Sequence, residues 1–376
     1  MTGPDRMGER PVGLVTIGSP MGKRPGSPKL KAEQESTLVR VQSAQLGEMR
    51  EALLGWYGQH KRELPWRQDT DAYRVWISEI MLQQTRVAAV LEYYRVFLDA
   101  FPTVEALAAA SEERVLALWS GLGYYRRARM LHRAAKIVAD ELGGVIPCGV
   151  ESLRKLPVVG RYTASAIASI AYGEPEAVVD GNVERVLSRL DGEPREKAGA
   201  WKRAQELLDR RHPGDWNQAM MELGATVCTP QSPQCLVCPL RLWCRAPGAG
   251  VSKPGAARKR VRMMRALIER NECVYLVRRA ADAGKMAGMW ELPELAASAQ
   301  SVERGGAKNP EQDGKELCVV RHSITDTDYE VRVVSAGLGA LSAKAQKAGR
   351  WVPREETWEL PLTGLTRKIL RKQGMR

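Results

Sequence analysis

Glu79 lies in the stretch ISEIMLQQTRV, where helical spacing leaves its carboxylate without a cation one turn away in either direction. Trp76 and Ile80 flank it on the same helical pattern. Apolar neighbours that exclude water raise the pKa of a carboxyl group, which can then donate a proton near neutral pH. Although most helical glutamates are solvated surface residues, we interpret Glu79 as a candidate general acid.

A second carboxylate, that of Asp180, stands directly before the helical pattern GNVERVLSRL. Its simplest role is that of an N-cap, which aspartate often fills. The free N–H groups and the dipole at a helix N-terminus also favour the ionised carboxylate, which could face a developing positive charge. A protonated Glu79 and an ionised Asp180 would together form the kind of carboxyl pair that cleaves glycosidic bonds.

Four of the seven cysteines follow the pattern C-x6-C-x2-C-x5-C between residues 228 and 244. Four thiolates gathered by short loops can hold a tetrahedral zinc ion or a cubane iron–sulfur cluster. The spacing alone leaves both alternatives open. The predicted ligands are Cys228, Cys235, Cys238 and Cys244.

The chain of 376 residues is long enough for at least two domains. Lysine and arginine number 57 against 44 aspartates and glutamates, a formal charge of +13, which favours a polyanionic partner. Nucleic acid and an anionic membrane surface would both suit this charge, but no apolar run approaches the roughly 20 residues of a spanning helix. We expect a soluble, cytoplasmic monomer without membrane association, because no apolar stretch is typical of a signal peptide.

Composition and apolar periodicity divide the chain into four segments. Residues 1–45 predict a disordered basic tail, and residues 46–245 predict a domain that is almost entirely helical. Residues 246–262 carry five basic and no acidic residues among glycines and prolines, which is typical of a linker. Alternating β-branched and apolar residues over 263–376 predict a smaller α+β domain. The predicted fold class is therefore mainly α.

Several motifs resemble those of the MutY-type adenine DNA glycosylases, which belong to the endonuclease III superfamily of helix-hairpin-helix glycosylases. They are the four-cysteine spacing and the stretches LPWRQDTDAYRVWISEIMLQQTRV (64–87), LRKLPVVGRYTASAIASIAYG (153–173) and VDGNV (179–183). The resemblance covers residues 46–376 and is strongest up to Cys244. It implies a helix-hairpin-helix glycosylase fold and a [4Fe–4S] cluster, rather than zinc, on the four cysteines.

The resemblance also implies a role for each candidate active-site residue. Glu79 would protonate the leaving adenine and then activate water, while Asp180 would stabilise or add to the oxocarbenium-like sugar. Tyr162 and Asn182 would hold this pair in place. Tyr162 stands where lyase-active relatives carry a lysine, so no Schiff base can form there and we expect a monofunctional enzyme. The adenine pocket would be lined by Trp66, Arg67 and Glu222.

Contacts with double-stranded DNA follow from the same resemblance. Gln84 would wedge into the base stack, and Tyr124 would be a second intercalating residue. The hairpin turn would present backbone N–H groups to a phosphate, although Val158 replaces the first glycine of the usual L-P-G-V-G and an ordinary packed helix pair is the alternative. The implied DNA-binding residues are Gln83, Gln84, Tyr124, Val159, Gly160 and Thr325.

The stretch LVRRAADAGKMAGMWELPEL (276–295) resembles the start of the Nudix-like recognition domain of this family. No R-E-x-x-E-E box follows it, so we expect no nucleotide hydrolysis. In the family this domain offers an F-S-H loop to 8-oxoguanine, and here the matching loop reads Ile324, Thr325 and Asp326. Thr325 keeps a hydroxyl donor, whereas Asp326 adds a negative charge near DNA phosphates. The alternative for this loop is a plain strand-to-turn connection without a DNA role.

We therefore predict an adenine DNA glycosylase that acts on chromosomal DNA and excises adenine opposite 8-oxoguanine or guanine in base excision repair. A thymine or pyrimidine mismatch glycosylase of the same superfamily is an alternative, because it shares the catalytic scaffold. A non-catalytic iron–sulfur DNA-binding regulator is another, but it would have no use for Glu79 and Asp180 in these motifs.

Overall fold

The computed structural model of the chain describes residues 28–194, 196–248, 258–295, 314–324 and 326–375, with side chains from residue 44 onward. The chain separates into two units, Met1–Glu48 and Met49–Arg376. Helix α1 (Pro28–His60) begins in the first unit. This helix starts inside the segment that the sequence predicts as a disordered tail, and residues 1–27 of that tail lie outside the described residues.

A helical region opens the second unit and extends to the four cysteines. Its helices after α1 are α2 (Ala72–Leu82), α3 (Val87–Ala100), α4 (Val104–Ala109), α5 (Glu112–Trp119), α6 (Arg126–Glu141), α7 (Val150–Leu153), α8 (Arg161–Tyr172), α9 (Gly181–Asp191), α10 (Lys197–Leu207) and α11 (Pro213–Thr226). Short 3-10 turns cover Pro65–Arg67, Cys235–Val237 and Arg241–Trp243. No helix among the described residues is both long and apolar enough to cross a membrane.

Short polar side chains mark where several of these helices begin. Asp71, Thr103 and Ser111 cap α2, α4 and α5, each accepting a hydrogen bond from the N–H three residues later. Gly173 and Gly192 end α8 and α9 in the left-handed conformation that glycine adopts without steric strain. The Ser, Thr, Asp and Gly residues that interrupt the apolar pattern in the sequence therefore mark where these helices begin and end.

Helix α2 lies at the centre of the helical region, where it packs against α3 and α8. Trp76, Ile77, Ile80 and Met81 are all fully buried, although they lie on different faces of the helix. A helix that is apolar on nearly every face belongs in the interior rather than at the surface. This burial is what carries Glu79, on the same helix, into the interior of the protein.

The described residues of the C-terminal region form two small sheets and two α-helices. Its elements are β1 (Lys259–Leu267), β2 (Glu269–Arg270), β3 (Cys273–Arg278), β4 (Trp290–Glu291), β5 (Glu316–Ile324), β6 (Thr327–Ser335), α12 (Ala343–Ala348), β7 (Gly349–Pro353) and α13 (Gly364–Lys372). Strand β6 pairs with β1 in parallel and with β5 antiparallel. Strand β3 pairs antiparallel with β2, β4 and β7.

The expected fold class, a mostly helical domain with a smaller sheet-containing C-terminal region, is confirmed. The Nudix-like character of that region stays a prediction, as do the four predicted segment boundaries. Strand β1 begins at Lys259, inside the segment that the sequence predicts as a linker, and residues 249–257 of that segment lie outside the described residues.

The sheet region packs directly on the end of α5 and the start of α6. Met289, fully buried, belongs to the same apolar cluster as the core of the helical region. The hydroxyl Oγ of Ser120 donates a hydrogen bond to the Leu362 carbonyl at 2.5 Å. In return, Nη1 of Arg367 donates to the Ser120 carbonyl at 2.9 Å. Apolar and polar contacts thus join the two regions within one unit.

Candidate active site

A pocket of about 730 Å³ opens between α2, α8, α9 and α11. It brings together all the residues that the sequence predicts for catalysis and for the adenine pocket: Trp66, Arg67, Glu79, Tyr162, Asp180, Asn182 and Glu222. The predicted DNA-binding residues Gln83, Gln84 and Gly160 line it as well. Val159 is instead buried, Tyr124 is exposed away from the pocket lining, and Thr325 lies outside the described residues.

The carboxyl group of Glu79 is held in an apolar interior. The residue is 6% exposed, and its Oε2 atom has no hydrogen-bond partner. Burial raises the pKa of Glu79 to about 7, and the charge of Asp180 adds to the rise while Tyr162 and Arg67 oppose it. A carboxyl group with this pKa can both donate and accept a proton near neutral pH.

Asp180 caps α9 with one carboxylate oxygen and contacts a neighbouring side chain with the other. Its Oδ1 accepts hydrogen bonds from the backbone N–H groups of Asn182 (2.9 Å) and Val183 (2.8 Å). Its Oδ2 accepts one from Nδ2 of Asn182 at 3.0 Å. Burial nevertheless raises the pKa of Asp180, against these hydrogen bonds and the charge of Arg185. The N-cap is where the sequence predicts it, but burial acts against the ionisation that the helix terminus favours.

Tyr162 lies close enough to Glu79 to affect its pKa, and Asn182 donates a hydrogen bond to Asp180. Burial raises the pKa of Tyr162 well above its ordinary value, so its hydroxyl stays protonated as a donor. That hydroxyl lies 3.4 Å from Sδ of Met221, to which it donates. The Oδ1 atom of Asn182 accepts a hydrogen bond from Nη2 of Arg185 at 2.9 Å, which fixes the amide orientation toward Asp180.

Glu222, on α11, is fully buried and forms ion pairs with two arginines. Its Oε1 accepts from Nε of Arg62 at 2.6 Å, and its Oε2 accepts from Nη2 of Arg67 at 2.9 Å. Burial raises the pKa of Glu222, but the two guanidinium groups outweigh it and the net direction is down. Glu222 therefore stays ionised, and Arg62 is a pocket residue that the sequence did not reveal, because its partner lies 160 positions away.

Three non-glycine residues in turns at or near the pocket adopt the left-handed backbone conformation. They are Gln84 (φ 56°), Tyr124 (φ 48°) and Val158 (φ 65°). Such a conformation costs an L-residue roughly 1–2 kcal/mol and is most unusual for a β-branched side chain. The position where Val158 replaces the usual glycine thus has the geometry that glycine would favour. Three turns that the resemblance assigns to DNA contact thus each hold a residue in a costly backbone conformation.

Gly160 begins α8 with no side-chain cap on its first N–H groups. Such free N–H groups at a helix N-terminus can bind a phosphate oxygen. The turn between α7 and α8 therefore places these N–H groups at the edge of the pocket that holds Glu79 and Asp180.

Residues 77–209 match the HhH-GPD superfamily base excision DNA repair protein family. Over 246 residues the chain is 48% identical to the human adenine DNA glycosylase, in a match that covers 61% of this chain and 45% of the human protein. It is 44% identical over 230 residues to the adenine DNA glycosylase of Arabidopsis thaliana, covering 53% of this chain and 36% of that protein. The chain thus matches less than half the length of these relatives.

The fold is similar to that of a thermostable thymine-DNA glycosylase, with a TM-score of 0.50 and 27% identity. That likeness covers 54% of this chain and 97% of the other. Glu79, Tyr162, Asp180 and Asn182 lie within the HhH-GPD region, residues 77–209. The pocket residues Trp66, Arg67 and Glu222 lie outside it, as do the four cysteines.

The four cysteines follow the HhH-GPD region in two 3-10 turns and their connections. Nη1 of Arg189 donates to Sγ of Cys228 at 3.2 Å, and the N–H of Gly248 donates to Sγ of Cys235 at 3.2 Å. Burial, to which the other three thiols add, raises the pKa of Cys238 to about 11. The thiols are thus close enough to influence one another, and donors face the sulfurs of Cys228 and Cys235, which fits a thiolate-bound centre. Among the described residues no group of three or more histidine, cysteine, aspartate or glutamate side chains is arranged to hold a metal ion. The cluster therefore stays a prediction.

Replacing Glu79 with glutamine should stabilise the protein at alkaline pH. The folded-state pKa of Glu79 exceeds its ordinary value, so the folded state binds more protons and stability falls as pH rises from about 4.5 to about 7. The loss persists above pH 7 and amounts to roughly 3 kcal/mol at full ionisation. Glutamine cannot ionise, so the variant should not lose this stability as the pH rises. Urea unfolding at pH 5 and pH 8 should show an advantage of Glu79→Gln over wild type that grows with pH, and parallel pH dependences would contradict it.

Proposed function

We propose that this protein is a DNA glycosylase that excises adenine from mispairs with guanine or 8-oxoguanine in base excision repair. The observation that carries the proposal is the pocket in which a buried Glu79, with a pKa of about 7, shares one cavity with the N-cap carboxylate of Asp180. The similarity to adenine DNA glycosylases of human and Arabidopsis thaliana supports adenine as the base.

The chemistry begins with proton transfer from the carboxyl group of Glu79 to a ring nitrogen of the extruded adenine. The C1′–N9 bond then breaks, and its electron pair leaves with the purine. The positive charge that develops on the sugar is stabilised by the Asp180 carboxylate, which the hydrogen bonds from Asn182 and Val183 hold in place. Glu79, now ionised, accepts a proton from the water that attacks C1′.

Adenine would be bound by the pocket residues Trp66, Arg62 and Arg67. Trp66 supplies an apolar surface and packs edge-on against Tyr94, with ring centroids 5.3 Å apart. Glu222 orients Arg62 and Arg67 through the ion pairs described above. The side chain of Arg62 is 40% exposed, so it keeps N–H groups for a hydrogen-bond acceptor on the base.

The proposed partner is double-stranded DNA. We propose that the protein acts as a monomer on chromosomal DNA in the cytoplasm. The formal charge of +13 favours a polyanion, and the uncapped N-terminus of α8 at Gly160 suits a phosphate. The exposed side chains of Gln84 and Tyr124 would fill the gap that the extruded base leaves. Gln83 donates to the Thr163 hydroxyl at 3.2 Å and would steady the first of these turns.

We propose a monofunctional enzyme that does not cut the DNA strand. No lysine lines the pocket in the part of the chain that the structure describes, and Tyr162 occupies the position of the lysine in lyase-active relatives. Schiff-base chemistry needs a primary amine at the sugar carbon. Borohydride should therefore trap no covalent complex between this protein and its substrate.

Cys228, Cys235, Cys238 and Cys244 would hold the proposed [4Fe–4S] cluster, with Arg189 and the N–H of Gly248 donating to two of the sulfurs. Such a cluster would order the loop that follows α11. Purified protein should be brown and contain about four irons per chain. Cys238→Ser should lower yield and thermal stability more than the rate of base release, because none of the four cysteines lines the pocket. Stoichiometric zinc in colourless protein would contradict the cluster.

Recognition of 8-oxoguanine is proposed for the C-terminal region, through the loop between β5 and β6. Thr325 lies outside the described residues, while Ile324 ends β5 and Asp326 stands directly before β6. The proposal rests on the sequence resemblance of this region to the Nudix-like recognition domain. It would be supported by a preference for adenine opposite 8-oxoguanine over adenine opposite guanine.

One assay tests the function. The protein is incubated with duplexes that place adenine or thymine opposite guanine, or adenine opposite 8-oxoguanine, and alkali-labile sites are measured under single-turnover conditions. Sites at adenine only would support the proposal. Sites at thymine would favour the second candidate, a thymine mismatch glycosylase, to which the likeness to a thymine-DNA glycosylase points. Binding without any cleavage would indicate the non-catalytic regulator.

A further inference from the structure

Arg127 is a buried cation that no predicted role accounts for. It lies in the first turn of α6 and is only 8% exposed, whereas Arg126 beside it is exposed. The surrounding sequence, GLGYYRRARML, suggests a solvated basic face at this point. A guanidinium group is seldom buried unless fixed partners satisfy it.

The partners of Arg127 are the backbone groups that end α2. Its Nη1 donates to the carbonyls of Ile80 (2.6 Å), Met81 (3.1 Å) and Gln83 (2.6 Å). Its Nη2 donates to Oγ1 of Thr85 at 3.2 Å. These contacts enclose the turn Gln83–Thr85, at whose apex Gln84 takes its left-handed conformation.

The same side chain also contacts the turn that precedes α6. Nη2 of Arg127 lies 3.5 Å from the Gly123 carbonyl, to which it donates. The guanidinium carbon lies 5.3 Å from the centroid of the Tyr124 ring, within the range of a cation–π contact. Arg127 is therefore bound at one end to the Gln84 turn and faces the Tyr124 turn with its other side.

The charge of Arg127 is balanced by carbonyl dipoles rather than by an acidic side chain. In the part of the chain that the structure describes, no ion pair involves Arg127. The C-terminal carbonyls of α2 carry the negative end of the helix dipole, which favours a cation there. Burial lowers the pKa of Arg127 only to about 10, so the side chain stays charged at neutral pH.

We propose that Arg127 is a positioning residue that holds the Gln84 and Tyr124 turns at a fixed separation, so that both side chains can enter the base stack together. The inference rests on the proposed function, in which these two residues replace the extruded base. A planar guanidinium presents donors in several directions and can bridge the two turns. A lysine offers a single nitrogen at this place and would contact one turn at a time.

Hydrogen exchange of the free protein tests whether Arg127 holds the two turns. Arg127→Lys should accelerate exchange at residues 82–86 and 121–126, while the amides of α8 and α9 keep wild-type rates. Arg126→Met removes the neighbouring charge from the same helix and should leave both turns unchanged. The assignment of Arg127 is overturned if the two turns exchange in Arg127→Lys as they do in wild type, or if all helices lose protection together.

The functional consequence is measured with 2-aminopurine placed beside the target adenine, in proteins that also carry Glu79→Gln so that no cleavage interferes. Arg127→Lys should slow the fluorescence rise on extrusion by on the order of 100-fold, the size that misplacement of about 1 Å can produce. Affinity for a fully paired duplex should change much less. Arg126→Met should extrude at the rate of the Glu79→Gln parent.

A double-mutant cycle separates positioning from a merely structural contribution. If Arg127 acts through the two wedge residues, Arg127→Lys should have little further effect on extrusion once Gln84 and Tyr124 are both alanine. An undiminished effect in that background would overturn the proposal. Failure of the proposed function would appear as absent cleavage by the wild type, which is measured separately. Failure of the role of Arg127 would appear in the hydrogen exchange of the free protein, which does not depend on DNA.

Discussion

Glu79→Gln should lower the single-turnover rate of adenine release by roughly 10²- to 10⁴-fold. Glutamine matches the shape of the side chain but cannot donate a proton to the leaving base. Binding to an A·G duplex should remain within a few-fold of wild type, because Glu79 is buried and contacts no phosphate-facing surface. A variant impaired in rate but not in binding has lost an interaction made only in the transition state.

The control for this variant is Glu113→Gln, which makes the same change at an exposed position in the first turn of α5. It should cleave adenine at the wild-type rate. If Glu79→Gln kept more than about a tenth of wild-type activity, proton donation by Glu79 would contribute less than general acid catalysis normally does, and another donor would have to be sought.

Asp180→Asn should lower the rate of adenine release by on the order of 10²- to 10³-fold, the loss typical for removal of one electrostatic contact to a transition state. Asparagine is as good an N-cap as aspartate, so α9 should begin unchanged. What the variant loses is the negative charge that faces the developing sugar cation. The rate is measured under single-turnover conditions, and circular dichroism verifies that helix content is preserved.

Asp71→Asn is the matched control, because Asp71 also caps a helix with its carboxylate but is exposed and lies outside the pocket lining. It should retain the wild-type rate. A rate in Asp180→Asn equal to that in Asp71→Asn would show that Asp180 serves only as a cap. The comparison therefore separates the two roles that the sequence leaves open for this residue.

Local signals in the sequence point to two carboxyl groups that the structure places in one pocket. Glu79 stands among apolar residues without a cation one turn away, and the structure places it in the interior with a raised pKa. Asp180 precedes a helical pattern and is indeed its N-cap. The cap depends on adjacent residues alone, and the apolar neighbours of Glu79 along its helix indicate that its face is buried, which is why the sequence carries both signals.

Residues whose partners are distant in sequence could not be predicted in this way. Arg62 pairs with Glu222 across 160 positions, and Arg127 reaches the end of α2 across 44 to 47 positions. Nothing in the local composition distinguishes a buried arginine from a solvated one. The rise in the pKa of Asp180 was also missed, because it reflects how deeply the assembled helices enclose the cap.

The contacts of Met289, Ser120 and Leu362 bear on how freely the two regions can be exchanged between proteins. A helical region expressed alone would present the cavity left by Met289 and an unpaired Ser120 hydroxyl. Removing a buried methionine side chain typically destabilises a core by about 2–5 kcal/mol. Recombination between relatives should therefore succeed only when the helical region and the sheet region come from the same parent. The two regions are then inherited as one unit and are not interchangeable modules.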